Sequence, residues 1–236
     1  MSACPVEYDA DVPTPATTRD TLLETALRLL EERGPAALRV RDLAAAAGQS
    51  TMGVYHHFGS KQGLLEQLYL HGFDRLADRL RSVPSGGRGR DELLDFALAY
   101  RGFAVENEAL YGLMFERATP DFIPSEASRL AGLSTFEMLA TRIADWRPDS
   151  TDPAADAHLV WAAMHGLVTI ELMHTRWGGP LVAHLRGDPE ENFARSIGSL
   201  LEALELSPSS ARDHPGDDAC RHQKEDKANN DLDRSA

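Results

Sequence analysis

Hydrophobic positions in this chain recur at spacings of three and four almost from end to end. Leu22, Leu23, Ala26, Leu27 and Leu30 form the first stripe and predict a helix over 17–33. "RGPAA" breaks it: Gly34 suits a left-handed position just past a helix end, and Pro35 cannot continue the helix. A short helix follows over 40–47, "VRDLAAAA". Gly48 interrupts, a second short helix runs over 50–58 to Gly59, and a longer one spans 61–81. Beyond "SVPSGGRGR", 82–90, the same period predicts helices at 91–106, 107–117, 124–146, 153–176 and 188–206. Pro120, Pro124, Pro148, Pro153, Pro180 and Pro189 fall between these or at their starts, where proline is tolerated. No run alternates convincingly as a strand does. The expected fold class is all-α: an N-terminal three-helix unit, then a helical bundle.

The two ends read differently. Residues 1–16 hold prolines and three acids; residues 207–236 hold seven acids, five bases and one large aliphatic, Leu232. Neither can bury enough apolar area to offset the entropy of ordering, so a disordered arm and a disordered tail are expected. The glycines of 82–90 resemble a phosphate loop only loosely. No strand precedes them and no Gly-Lys-Ser/Thr closes them.

Charge sharpens the division. The 236 residues carry a net charge of -13, which argues against the whole chain being a nonspecific polyanion binder. Residues 17–81 nevertheless hold nine Lys/Arg against eight Asp/Glu, whereas 82–236 hold fifteen against twenty-six. Such asymmetry is compatible with nucleic acid at one end only. Cys4 and Cys220, one near each terminus, imply neither a disulfide framework nor a cysteine-based zinc site. "LVWAAMHGLVTIEL" is too short and too polar to span a bilayer, and the acidic N-terminus is no signal peptide, so a cytoplasmic protein without a membrane partner is expected.

The candidate chemistry sits in "QSTMGVYHHFGSK", 49–61. Two short helices joined by the tight turn "AGQS" form the helix-turn-helix pattern, in which the first helix braces and the second enters the major groove. Leu43, Ala46 and Ala47 face inward from the brace; Val54 and Phe58, four apart, face inward from the reader. Ser50, Thr51, Met52, Tyr55 and His56 are left outward. Short hydroxyls and a Met suit base edges and the thymine methyl, and Tyr, His and Lys have the reach for phosphates.

"DLAAAAGQSTMGVYHHFGSKQGLL" resembles the helix-turn-helix of the TetR family of transcriptional repressors. Leu43, Ala44, Ala47, Gly48, Ser50, Tyr55, His57, Phe58, Ser60, Lys61 and Leu64 match in order and spacing, within a likeness over about residues 17–70. The departures are Gln49, where an aliphatic is usual, Gln62-Gly63, where acids are usual, and Arg39, where Ser or Thr often caps. The resemblance implies a repressor, not an enzyme, that binds double-stranded DNA at a palindromic operator as a homodimer. By position, Thr51 and Met52 would approach bases, with Ser50 beside them. Tyr55, His56, His57 and Lys61 would contact or frame phosphates, with Arg41 at the brace start. It divides the chain into a DNA-binding domain at 17–63 and a ligand-binding and dimerisation domain at 64–206, with 64–81 as linking helix.

A second likeness lies in "WAAMHGLV", 161–168, which resembles the Trp-His-Gly signature of one class of C-terminal ligand-binding domain in that family. Helix 153–176 is apolar nearly all round, and helix 188–206 adds the stripe Phe193, Ile197, Leu200, Leu201 and Leu204. Two such helices can pair with their copies as a four-helix interface. Tyr100, Phe103, Met114, Phe115, Phe136, Trp161, Met164 and His165 are the candidates for lining an apolar effector pocket, with Arg101 a further polar group that could orient a ligand. No cofactor is implied. Two rival readings compete: a helical-bundle metal-binding enzyme, for which Glu171-x-x-His174 is half of a di-iron motif without a second copy, and a helical interaction protein that ignores DNA.

Overall fold

The computed structural model describes residues 17–34, 38–86, 89–116, 122–177 and 187–207. The expected arm at 1–16 and almost all of the tail at 207–236 lie outside them. The described residues form helices and no strand: α1 (Thr18–Arg33), α2 (Val40–Ala46), α3 (Thr51–Phe58), α4 (Lys61–Arg81), α5 (Arg90–Glu106), α6 (Glu108–Phe115), α7 (Glu126–Trp146), α8 (Pro153–Trp177) and α9 (Pro189–Leu206). The all-α expectation holds, and each helix begins and ends within two residues of the predicted span.

The boundaries follow from local chemistry. Thr17 opens α1 through a capping box with Asp20, whose carboxyl is held below its ordinary pKa chiefly by the Thr17 hydroxyl. Ser50, Ser60, Ser125 and Asp188 accept backbone N–H groups at the starts of α3, α4, α7 and α9. Arg39, at the start of α2, offers no side-chain cap, as its side chain has no acceptor. Gly48 turns the chain between α2 and α3 at φ 63°, a conformation a Cβ disfavours.

α1, α2 and α3 pack around Leu22, Ala26, Leu30, Leu38, Leu43, Val54 and Phe58. α4 then runs out of this unit into the second, flanked by α1 and α3 at one end and by α5, α6 and α7 along its length. Its buried residues, Leu64, Leu65, Leu68, Tyr69, Phe73, Leu76 and Leu80, belong to one continuous hydrophobic cluster that reaches both units. α8 lies against α7, α5 and α9, burying Val160, Met164, Val168 and Leu172.

One expectation is corrected here. The α9 stripe offered for pairing with a second copy is largely used within the chain: Phe193, Ile197, Leu201 and Leu204 are buried in its own core. Period-four apolar residues on a helix give no sign of whether the surface they cover is the chain's own or another's. The uncovered apolar positions of these two helices include Leu159 of α8 and Leu206 of α9. Beside Leu159, Ala162 is exposed, and a Cβ added at Gly166 would meet nothing within 4 Å.

The corner between α3 and α4 explains the glycine that departs from the family pattern. A Cβ at Gly63 would stand 2.1 Å from the Phe58 carbonyl oxygen, so the tight corner admits no side chain there. Gly63→Ala is therefore expected to lower stability by about 1–3 kcal/mol through backbone displacement at this corner, read as a reduced urea midpoint.

Candidate functional site

The outward surface of α3 carries Thr51, Met52, Tyr55 and His56, all exposed, Met52 to 76%. Val54 and Phe58 anchor the opposite side in the core, at 1% and 8% exposure, so the helix is held with those four side chains facing water. His57 is half-buried, edge-on to both His56 and Phe58, at centroid distances of 5.3 and 6.5 Å. The Ser50 hydroxyl oxygen accepts the Gly53 N–H at 3.0 Å, which leaves its own O–H free to donate. Arg41 of α2 and Lys61 at the start of α4 are exposed on either side of α3, and neither joins an ion pair among the described residues.

The second candidate region is the interior of the bundle. Phe136 meets Trp161 edge-on, Trp161 stacks on His165 at 5.6 Å, and Phe115 and Tyr111 pack on the same imidazole. Tyr100 OH lies 3.0 Å from Tyr111 OH, which lies 2.6 Å from His165 Nδ1. Burial holds the His165 pKa below its ordinary value of 6.5, opposed by Glu116, and pushes both tyrosines up. The imidazole is thus neutral near pH 7. With Nδ1 unprotonated, the single hydroxyl hydrogens run in one direction, Tyr100 to Tyr111 to His165. The void beside Tyr100, Phe136, Trp161 and Met164 is only about 10 Å³, space for one water at most.

Not all eight pocket candidates converge. Tyr100, Phe115, Phe136, Trp161, Met164 and His165 do. Met114 instead packs against α4, where a Cβ at Gly72 would meet its sulfur, and Phe103 is buried on α5 outside the ring cluster. Tyr111, which bonds His165, was not singled out as a site residue; in sequence it is one aromatic among several.

Arg101 does not point a free charge at a ligand. Its guanidinium grips Glu171 in a fork at 2.9 and 2.7 Å and also donates to Glu190 at 2.7 Å, tying α5 to α8 and α9. Glu171 is thereby engaged, and among the described residues no three His, Cys, Asp or Glu side chains are gathered as metal ligands. Glu31 of α1 reaches across to α6 and accepts the N–H groups of Ala109 and Leu110, each at 3.1 Å. Its carboxylate stands where the α6 dipole favours negative charge. Glu66 of α4 likewise accepts the Ser125 N–H at 2.9 Å at the start of α7. No described helix is long and apolar enough to cross a membrane.

This arrangement matches known proteins along most of the chain. Residues 22–68 match the model of the bacterial regulatory proteins of the tetR family, and residues 93–200 match that of the Tetracyclin repressor-like C-terminal domain. The chain belongs to the TetR family and is a DNA-binding transcriptional regulator. Among its relatives is the HTH-type transcriptional repressor KstR2 of Mycolicibacterium smegmatis, 27% identical over 206 residues that cover 82% of this chain and 96% of that one. Its fold is shared with a Rhodococcus protein described as of unknown function, at a TM-score of 0.65 and 24% identity, covering 82% of this chain and 98% of that one. The TetR-family regulator PfmR of Thermus thermophilus shares it at 0.56 and 23% identity, with 77% and 97% covered.

The buried imidazole makes stability depend on pH. His165 binds a proton less readily folded than unfolded, and His71 is shifted down in the same sense by burial and Arg75. Stability is then fully present above pH 6.5 and lost as pH falls from 6.5 towards the depressed folded values. The urea midpoint is expected to drop between pH 7.5 and 5.5, and His165→Gln to drop less steeply.

Proposed function

We propose that this protein is a repressor that binds a palindromic operator as a homodimer and is released by a small apolar ligand in its C-terminal domain. The observation that carries the reading is α3: an anchored helix with Thr51, Met52, Tyr55 and His56 turned to solvent, flanked by Arg41 and Lys61. Residues 17–63 are the DNA-binding domain and 64–206 the ligand-binding and dimerisation domain. The role is binding, not catalysis, and is performed in the cytoplasm, where the operator lies.

Thr51 and Met52, in the first turn of α3, read base edges, with Ser50 donating beside them. Tyr55, His56 and Arg41 hold phosphates, and His57 braces His56. Lys61 adds its ammonium to the N-terminus of α4, where unpaired backbone N–H groups favour an anion. The two α3 helices of a dimer must lie one turn of DNA apart, roughly 34 Å. The outward strip of Leu159, Ala162 and Gly166 on α8, with Leu206 on α9, is the face that a second copy covers.

The aromatic cluster around His165 is closed, so a ligand enters by parting α6 or α7 from α8. α6 carries Tyr111 and Phe115 of that cluster, and Glu31 of α1 holds its first turn. Movement of α6 therefore reaches the DNA-binding unit directly, alongside the path through α4. To move the population from 1:99 to 99:1, the ligand must favour the DNA-free state by about 5.5 kcal/mol.

Lys61→Ala is expected to weaken cognate and random duplexes alike and to flatten the salt dependence. Thr51→Ala is expected to cost about 1–3 kcal/mol at the cognate site alone, read by anisotropy titration of both duplexes. Equal effects of the two substitutions on both duplexes contradict this division of labour. Gly166→Arg places a charge on the proposed contact face, at a position where an added Cβ meets nothing within 4 Å. Light scattering is expected to show a folded particle at the single-chain mass of 25.9 kDa, and affinity for the palindrome should fall with it.

A further inference from the structure

Two residues of the helix-turn-helix are not explained by folding. Gln49 follows Gly48 in the turn, where an aliphatic side chain is usual. Its backbone is fixed, the N–H donating to the Ala44 carbonyl at 2.8 Å. Its side chain is exposed, and its carboxamide makes no hydrogen bond among the described residues. The other residue is Gly53, in the first turn of the eight-residue α3. A glycine there weakens the helix relative to alanine. Neither conformation nor space calls for it. Its φ is not positive, and an added Cβ would meet only Ser50 Oγ at 3.5 Å and Gln49 Oε1 at 3.7 Å, both ordinary contacts.

The two departures meet at one place. The Gln49 carboxamide lies beside the bare backbone of the first turn of α3, next to Ser50. An exposed glutamine by itself is ordinary surface. This one stands over a helix glycine, at the end of α3 that carries Thr51 and Met52. The N-terminal residues of a reading helix are those that reach base edges, and a glycine lets a ligand approach the backbone closely.

Chemistry narrows the partner. A carboxamide presents an N–H donor and a carbonyl acceptor side by side. A phosphate offers acceptors only and leaves the carbonyl idle. In the major groove, adenine offers N7 as acceptor and its N6 amino group as donor, so the amide can use both of its atoms at once; guanine offers two acceptors instead.

We propose that Gln49 is a further base-reading residue, whose carboxamide pairs with N6 and N7 of one adenine in each operator half-site, through the space that Gly53 leaves open. This rests on the operator reading above and names one base pair within it.

The probe is the operator enriched from random duplexes by the full-length protein. Its half-site pairs are replaced one at a time, and affinity is read by anisotropy for the wild type and Gln49→Ala. At one A·T pair, replacement by G·C should weaken the wild type about tenfold and Gln49→Ala by less than about twofold. 7-Deazaadenine at that pair lacks N7 but still pairs with thymine; it should weaken the wild type and leave Gln49→Ala unchanged. Gln49→Glu offers acceptors only and should move the preference there towards C·G, where the cytosine amino group donates. Both variants should keep the wild-type urea midpoint, and the 7-deazaadenine duplex reads the contact in the wild type itself. Enrichment of no palindrome overturns the operator reading and this proposal with it. A palindrome at which every penalty is the same with and without Gln49 overturns this proposal alone. So does a loss in Gln49→Ala that is equal on operator and random duplexes, the mark of a phosphate contact.

Discussion

The structure depends on α4 being buried along both of its halves. Leu64, Leu65 and Leu68 sit against the helix-turn-helix unit, and Phe73, Leu76 and Leu80 in the bundle, within one unbroken hydrophobic cluster. A helix that serves two cores cannot shift against one without disturbing the other, because interiors packed to crystal density move between discrete arrangements rather than deforming smoothly. The solvent-facing side chains of α3 inherit their position from this constraint, through the corner at Gly63 and the burial of Val54 and Phe58.

Polar clamps refine what hydrophobic burial makes coarse. Glu31 on the α6 amides, Glu66 at the start of α7, and Arg101 between Glu171 and Glu190 each join helices far apart in sequence. The Arg101 fork is the most enclosed, with its side chain 10% exposed and Glu171 16%. Such a pair adds little net stability over an apolar packing, but removing one partner leaves a buried charge unmatched, so it fixes one arrangement of α5, α8 and α9 rather than strengthening all of them.

The bundle contrasts two interiors. Around His165 the rings close tightly and the polar atoms satisfy one another in a directed chain. Between α8 and α9 there is open volume and an imidazole with no partner.

Helix type, order and approximate ends were legible in the sequence, because the apolar period, the capping Ser, Thr and Asp residues and the breaking Gly and Pro are local properties. So was the outward set on α3: an eight-residue helix with Val54 and Phe58 on one face leaves the others little choice. Tertiary structure decided which chemistry the remaining residues perform. Arg101 read as a free cation until Glu171, seventy residues on, was placed beside it. Glu31 carried no signal that it caps α6, 78 residues away. The α9 stripe read as a surface for a second copy and proved to be the chain's own core, because periodicity reports that a face is covered and not by what. Pairing, enclosure and empty volume are properties of helices brought together, and no spacing along one helix encodes them.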